Sequence, residues 1–108
     1  MGKHHLGEFE ELVLLTVAVL YGEAYGVSIL NEMENRLKRG ISIGSLRTVL
    51  NRLEKKGYLT SKFGESTAMR GGKRKRYFLV TKYGQKALQE TREQRQQLWD
   101  DIPRIAFD

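Results

Sequence analysis

The sequence predicts a mainly α-helical fold with one small β-ribbon, in the order ααα-ββ-α. Three observations predict it. Three successive segments place apolar residues at helical spacing, two short segments are rich in aromatic and β-branched residues, and a long final segment follows a helix cap. The length of 108 residues suits a single domain with a modest core.

The first helix is predicted over about Glu8 to Tyr21. Three glutamates occupy its first turn, where the helix dipole favours anions. Its apolar residues cover nearly the whole circumference: Phe9, Leu12, Val13, Leu15, Val17, Ala18 and Leu20. A helix that is apolar all round must be covered on more than one side, and a second subunit is a predicted source of that cover.

The second helix is predicted over about Tyr25 to Lys38, with Gly40 supplying the turn that ends it. Its predicted buried stripe is Val27, Leu30, Met33 and Leu37. The third helix begins at Ser42, a good N-cap, and ends at Gly57. Ile41 and Leu46 have the spacing of a hydrophobic staple. Its predicted buried face is Leu46, Val49, Leu50 and Leu53.

Two strands are predicted at about Tyr58 to Gly64 and Lys73 to Val80. Thr81 is a predicted cap for a last helix that runs to about Ile102. Three helices, a ribbon and a final helix are typical of a winged helix-turn-helix with one appended helix. The aromatic residues of the ribbon could stack single-stranded bases, but packing onto the helices is favoured: Tyr58, Phe63, Tyr77 and Phe78.

Positive charge is concentrated in the middle of the chain. Residues 36 to 82 hold 14 Lys and Arg against two Glu, whereas the flanking segments are mildly acidic and the whole chain carries +6. A cationic face aimed at a polyanion fits this distribution, and so does an ordinary solvated basic surface.

The third helix carries polar groups opposite its buried face. Thr48, Asn51 and Lys55 lie there, with Ser45, Arg47 and Arg52 on the shoulders. Asn can pair with adenine, Arg with guanine, and Thr can meet the thymine methyl in the major groove. The sequence therefore predicts a DNA recognition helix at this position.

The ribbon tip carries a second cationic cluster, beginning with Arg70 and two glycines. Its predicted DNA-contacting residues are Arg70, Lys73, Arg74, Lys75 and Arg76. Such a wing would contact phosphates and add salt-dependent affinity. The alternative is a charged edge that resists aggregation. The predicted division is a DNA-binding domain over residues 1–80 and a C-terminal dimerisation helix and tail over 81–108.

Large apolar residues stand among polar ones on the last helix, which is typical of a helix that packs against a partner subunit. The alternative is a helix folded back on its own domain. The predicted dimer interface is Phe9, Leu12, Leu88, Leu98, Trp99 and Ile102. Trp99 could also wall a pocket for an aromatic ligand, with simple interface packing as the alternative.

Several classes of function are disfavoured. The chain has no cysteine, which fits a cytoplasmic location, and its two histidines, His4 and His5, are too few for a metal site. No cysteine nucleophile, internal histidine, phosphate loop or acidic pair in a plausible pocket suggests an enzyme, and no cofactor is expected. The apolar run from Leu12 to Leu20 is too short to span a membrane.

Three segments together resemble the PadR-like family of transcriptional regulators, in its compact subgroup with a single C-terminal helix. They are Tyr25-Gly26, the stretch from Gly44 to Leu59, and the stretch from Gly72 to Thr81 followed by Gly84, Ala87 and Leu88. Arg47 and Arg74 depart from the tyrosine and proline that the family often has there. The resemblance implies a homodimer formed by the first and last helices, and repression that small hydrophobic or aromatic compounds relieve in some members.

The sequence thus predicts a double-stranded DNA-binding regulator, a repressor acting as a homodimer on an inverted repeat. The alternative is a winged helix that contacts protein or RNA and has no preference for duplex DNA.

Overall fold

The computed structural model describes residues 5–64 and 74–108. Its elements are α1 (Glu8–Val19), α2 (Gly26–Leu37), α3 (Ile43–Lys55), β1 (Leu59–Phe63), β2 (Arg76–Val80), α4 (Lys82–Asp101) and a final 3-10 turn (Arg104–Phe107). The predicted order of three helices, a ribbon and a last helix is confirmed. The final 3-10 turn was not predicted.

The core lies where α1, α2 and α3 meet, with α1 contacting both of the other helices, β2 and α4. The predicted inner face of α3 is buried as expected. Its start is also as predicted, because the Ser42 hydroxyl accepts a hydrogen bond from the Ser45 amide at 3.2 Å. The local sequence of α3 therefore fixes both where the helix begins and which face it turns outward.

Helix α2 differs from its prediction in two details. Val27 is 54% exposed, and the buried line runs instead through Ile29 and Met33, which are one helical turn apart. The helix ends at Leu37, close to the predicted Lys38, but Lys38 and not Gly40 takes the left-handed conformation at its end, with φ of 56°. A carboxylate stabilises the following turn, since Glu34 accepts a hydrogen bond from the Ile41 amide at 3.0 Å.

The two strands pair antiparallel, with Leu59 opposite Val80 and Phe63 opposite Arg76. The ribbon is also tied to the turn before α2, because the Phe78 amide donates to the Ala24 carbonyl at 2.8 Å. Phe78 is buried, as predicted for the ribbon aromatics, but Phe63 is 62% exposed. The prediction of a core role for Phe63 was wrong, because β1 ends there, beyond the helices.

The start of α4 packs closely on the ribbon. Thr81 caps it by accepting from the Gly84 amide at 3.0 Å, as predicted. A Cβ atom at Gly84 would lie 2.3 Å from the Tyr58 carbonyl oxygen, so only glycine permits this approach. The rest of α4 projects from the core, and the molecule is 61 Å long by 30 and 21 Å. Among the described residues, no helix has the length and apolar character needed to cross a membrane.

Candidate nucleic-acid interface

The outward face of α3 carries every polar residue that the sequence placed there. All six predicted contact residues are exposed: Ser45, Arg47, Thr48, Asn51, Arg52 and Lys55. The hydroxyl of Thr48 is engaged with its own helix, since it donates to the Gly44 carbonyl at 3.0 Å. The face as a whole presents amide, guanidinium and ammonium groups over a rigid apolar base.

A groove of about 340 Å³ joins this face to the ribbon. Arg47 and Asn51 line it from α3, and Arg74 and Arg76 line it from the second strand and the residues before it. Val27 lines the same groove from the start of α2, and its exposed side chain is therefore part of this surface. The outward face of α3 and the described part of the ribbon tip thus share one side of the molecule.

Arg76 is held by three partners inside this groove. Its Nε donates to the Ser61 hydroxyl at 3.0 Å, one terminal nitrogen pairs with the Glu54 carboxylate, and the other lies 3.4 Å from Asn51 Oδ1. The Ser61 hydroxyl donates in turn to the second Glu54 oxygen at 2.7 Å. The sequence placed Arg76 among the wing cations, whereas the structure turns it toward α3.

The other wing cations divide by position. The Lys75 ammonium lies 3.9 Å from the centroid of the Tyr25 ring, a cation–π contact that links the wing to α2. Arg74 is exposed and lines the groove. Arg70 and Lys73 lie outside the described residues, so their predicted contacts stay predictions.

A buried carboxylate anchors the far end of α3. Glu10 of α1 accepts from the Gly7 amide and from Lys56 Nζ, both at 2.9 Å, and lies 3.9 Å from the Arg52 guanidinium. Burial alone would raise the pKa of Glu10, but the Gly7 hydrogen bond and the positive charges of Lys56 and Arg52 together lower it. Arg52 is therefore drawn toward α1 at the edge of the outward face of α3.

Sequence reasoning missed the carboxylates that organise this surface. Glu54 is the one acid between residues 42 and 57, and Glu10 is one of three glutamates in the first turn of α1, but neither was predicted to act at this surface. The sequence did offer one sign of this role for Glu54. A single carboxylate on a helix rich in Lys and Arg is expected to form an ion pair. Among the described residues, no group of His, Asp or Glu side chains could hold a metal ion.

The predicted interface residues lie along α1 and α4. Phe9, Leu12, Leu88 and Ile102 are partly buried, whereas Leu98 is 70% and Trp99 65% exposed. An open cavity of about 470 Å³ runs between the two helices, lined in part by Leu15, Leu88 and Trp99. The Phe107 ring of the final turn lies 6.4 Å from the Trp99 ring, centroid to centroid.

Comparison with known proteins agrees with this architecture. The model of the transcriptional regulator PadR-like family matches residues 14–90. A PadR-like transcription factor from Bacteroides fragilis is 25% identical, with a TM-score of 0.71 over 85% of this chain and 84% of that one. A PadR family regulator from Eggerthella lenta is 26% identical, with a TM-score of 0.67 over 86% and 80% of the two chains.

A more distant structure is that of Bacillus subtilis PadR in complex with operator DNA. It is 15% identical, with a TM-score of 0.64 over 77% of this chain and 45% of that one, a similarity of fold. No protein of curated function matches the sequence. The matched family is one of transcriptional regulators and not of enzymes. The chain belongs to the PadR-like family of transcriptional regulators.

Proposed function

We propose that this regulator binds double-stranded DNA sequence-specifically as a homodimer on an inverted repeat and represses transcription. The observation that carries the proposal is the shared groove, in which Asn51 of α3 and Arg74 of the wing line one surface. A helix with polar groups outward fits the major groove, and a cationic wing beside it can reach the adjacent phosphates.

The predicted residues take two roles on DNA. Arg47, Thr48 and Asn51 face outward from the middle of α3 and are proposed to meet base edges. Lys55, Arg74 and Lys75 are proposed to contact phosphates, which position the protein without reading sequence. The full proposed contact set is Ser45, Arg47, Thr48, Asn51, Arg52, Lys55, Arg70, Lys73, Arg74 and Lys75. Arg76 was predicted to belong to this set, but its guanidinium faces Glu54 at the same surface. The similarly folded Bacillus subtilis PadR was solved in complex with operator DNA, which supports DNA as the partner.

The homodimer is proposed from the apolar surface along α1 and α4. Leu15, Leu98 and Trp99 are all more than 40% exposed, which is costly for a monomer in water. A second copy related by a two-fold axis would cover them, with residues 81–108 as the dimerisation segment. Two recognition helices would then read half-sites about one turn of DNA, roughly 34 Å, apart.

The cavity beside Trp99 supports a proposed effector site. Leu15, Leu88 and Trp99 give its otherwise polar lining an apolar part that suits a small hydrophobic or aromatic compound. Binding there would act on the helices that set the spacing of the two α3 helices. A protein that binds chromosomal DNA must be in the same compartment as the chromosome, so we propose a cytoplasmic location.

Selection from random duplex DNA tests the proposal. The full chain is expected to enrich an inverted repeat, and the enriched duplex should compete far better than hairpin RNA or an acidic protein. No enrichment, or equal competition by RNA or by acidic protein, would overturn it and favour a winged helix used for another partner. Expression of a reporter under the enriched site separates repression from activation.

A further inference from the structure

One exposed amide of the recognition helix is held by a partner from the wing. Asn51 is exposed on α3, where its side-chain amide could otherwise rotate between two orientations of similar energy. The Arg76 guanidinium lies against it, with a terminal nitrogen 3.4 Å from Oδ1. A guanidinium can donate but never accept, so the Asn51 atom that faces it must be the oxygen and not the nitrogen.

Arg76 can hold this orientation because its other nitrogens are fixed. Nε is bound to the Ser61 hydroxyl and the remaining terminal nitrogen to the Glu54 carboxylate. Ser61 and Glu54 are themselves hydrogen-bonded, which closes a ring of three side chains from β1, β2 and α3. We call Arg76, Glu54, Ser61 and Asn51 the Arg76 cluster.

The same contacts set Arg76 apart from the other wing cations. Its charge is neutralised by Glu54, and only 38% of its side chain is exposed. A DNA phosphate would have to displace the Glu54 carboxylate from Arg76, so the exchange would add little binding free energy. Lys75, by contrast, contacts a neutral aromatic ring, which leaves its positive charge in place for a phosphate.

We propose that Arg76 is a positioning residue that fixes the amide orientation of Asn51, and thereby sets the base that Asn51 reads at one position of each half-site. The inference rests on the proposed function, because it requires specific duplex DNA. Because Arg76 holds Oδ1 of Asn51 toward the wing, Asn51 presents its amide oxygen (the acceptor) and its amide nitrogen (the donor) to the base edge in one fixed order. Base edges in the major groove differ in that order, so one base pair is preferred.

The test compares base preference with salt dependence. The position read by Asn51 is first identified as the one at which Asn51→Ala abolishes base preference. The double variant Arg76→Gln/Glu54→Gln then removes the cluster without changing net charge. At that position its preference should fall about tenfold. Other positions should keep theirs, and the slope of log affinity against log salt should match that of the unmodified protein.

Lys75→Gln is the matched control from the neighbouring residue. It should reduce the salt slope by about 0.9 for each phosphate that Lys75 neutralises in the complex, and leave base preference intact. If the double variant cannot fold, Arg76→Lys serves instead, because lysine keeps the charge but lacks the planar fork. Base preference should fall at the same position.

Retained preference at the Asn51 position in the folded variants would overturn the inference, as would a salt slope lowered in the double variant as it is in Lys75→Gln. The absence of any position dependent on Asn51 would overturn it too. In each case the unmodified protein would still bind its site, so the proposed function would survive.

Discussion

Replacing Glu10 by glutamine should destabilise the protein by about 2 kcal/mol at neutral pH. The change keeps an acceptor for the Gly7 amide but removes the charge that faces Lys56 at 2.9 Å. A hydrogen bond to a charged group is worth about 1.5–3 kcal/mol when buried, and an exposed ion pair about 0–1 kcal/mol. Because the side chain of Glu10 is only 9% exposed, the value lies in the range for buried groups, and the 36% exposure of Lys56 places it toward the lower end of that range.

The pH dependence of this cost has a definite sign. The folded-state pKa of Glu10 lies below its ordinary value of 4.5. Its contribution is therefore complete above that value and is lost as the pH falls through the lower folded-state pKa. The difference in unfolding free energy between Glu10→Gln and the unmodified protein should shrink toward zero on acidification.

Urea unfolding at a fixed protein concentration measures both effects. With a urea slope of about 1–3 kcal/mol per molar, a destabilisation of about 2 kcal/mol should lower the midpoint by about 1 M. Glu8→Gln is the matched control, because Glu8 is exposed in the same first turn and shares only the dipole interaction. Equal shifts in the two variants, or a Glu10→Gln shift that persists undiminished at acid pH, would refute the reasoning.

Three further predictions concern packing, assembly and recognition. Gly84→Ala should destabilise by about 1–3 kcal/mol through the clash with the ribbon backbone, whereas Gly26→Ala, which meets nothing within 4 Å, should be neutral or slightly stabilising by urea unfolding. Trp99→Ala should weaken self-association about 30-fold or more in sedimentation, while Tyr21→Ala, which also removes an exposed aromatic ring, at 81% exposure, should leave it unchanged. Asn51→Ala should weaken the selected site about 5- to 100-fold by anisotropy and leave random DNA unaffected. Equal effects of the paired variants, or an equal weakening on both DNAs, would contradict these expectations.

Helix α3 shows how far the sequence alone could reach. Its cap, its buried face and its outward polar face all depend on residues within one short segment, so local spacing was enough to predict them. The ribbon and the last helix were also predicted in the correct order, from aromatic and β-branched residues and from the Thr81 cap, and the family resemblance agreed with that order. Because helical spacing sets which residues point outward, the exposed residues of the outward face of α3 could be named one by one.

The ion pairs that organise the site could not be predicted in this way. Arg76 and Glu54 are 22 residues apart, and Lys56 and Glu10 are 46 apart. Their meeting depends on how the ribbon and α1 pack against α3, which no local pattern encodes. Charge counting treated Arg76 as one more wing cation, and only its position beside Glu54 shows that it faces inward.

The salt dependence of binding to a selected duplex tests most directly whether α3 and the wing form one DNA-binding surface. If Lys55, Arg74 and Lys75 of both subunits contact phosphates, the affinity should fall about 10³-fold between 50 and 200 mM salt. Fluorescence anisotropy should show that fall as a straight line against log salt, with the selected site bound more tightly than a scrambled one throughout. An affinity that does not change with salt concentration, or no binding to any duplex, would contradict the claim that α3 and the wing form one DNA-binding surface.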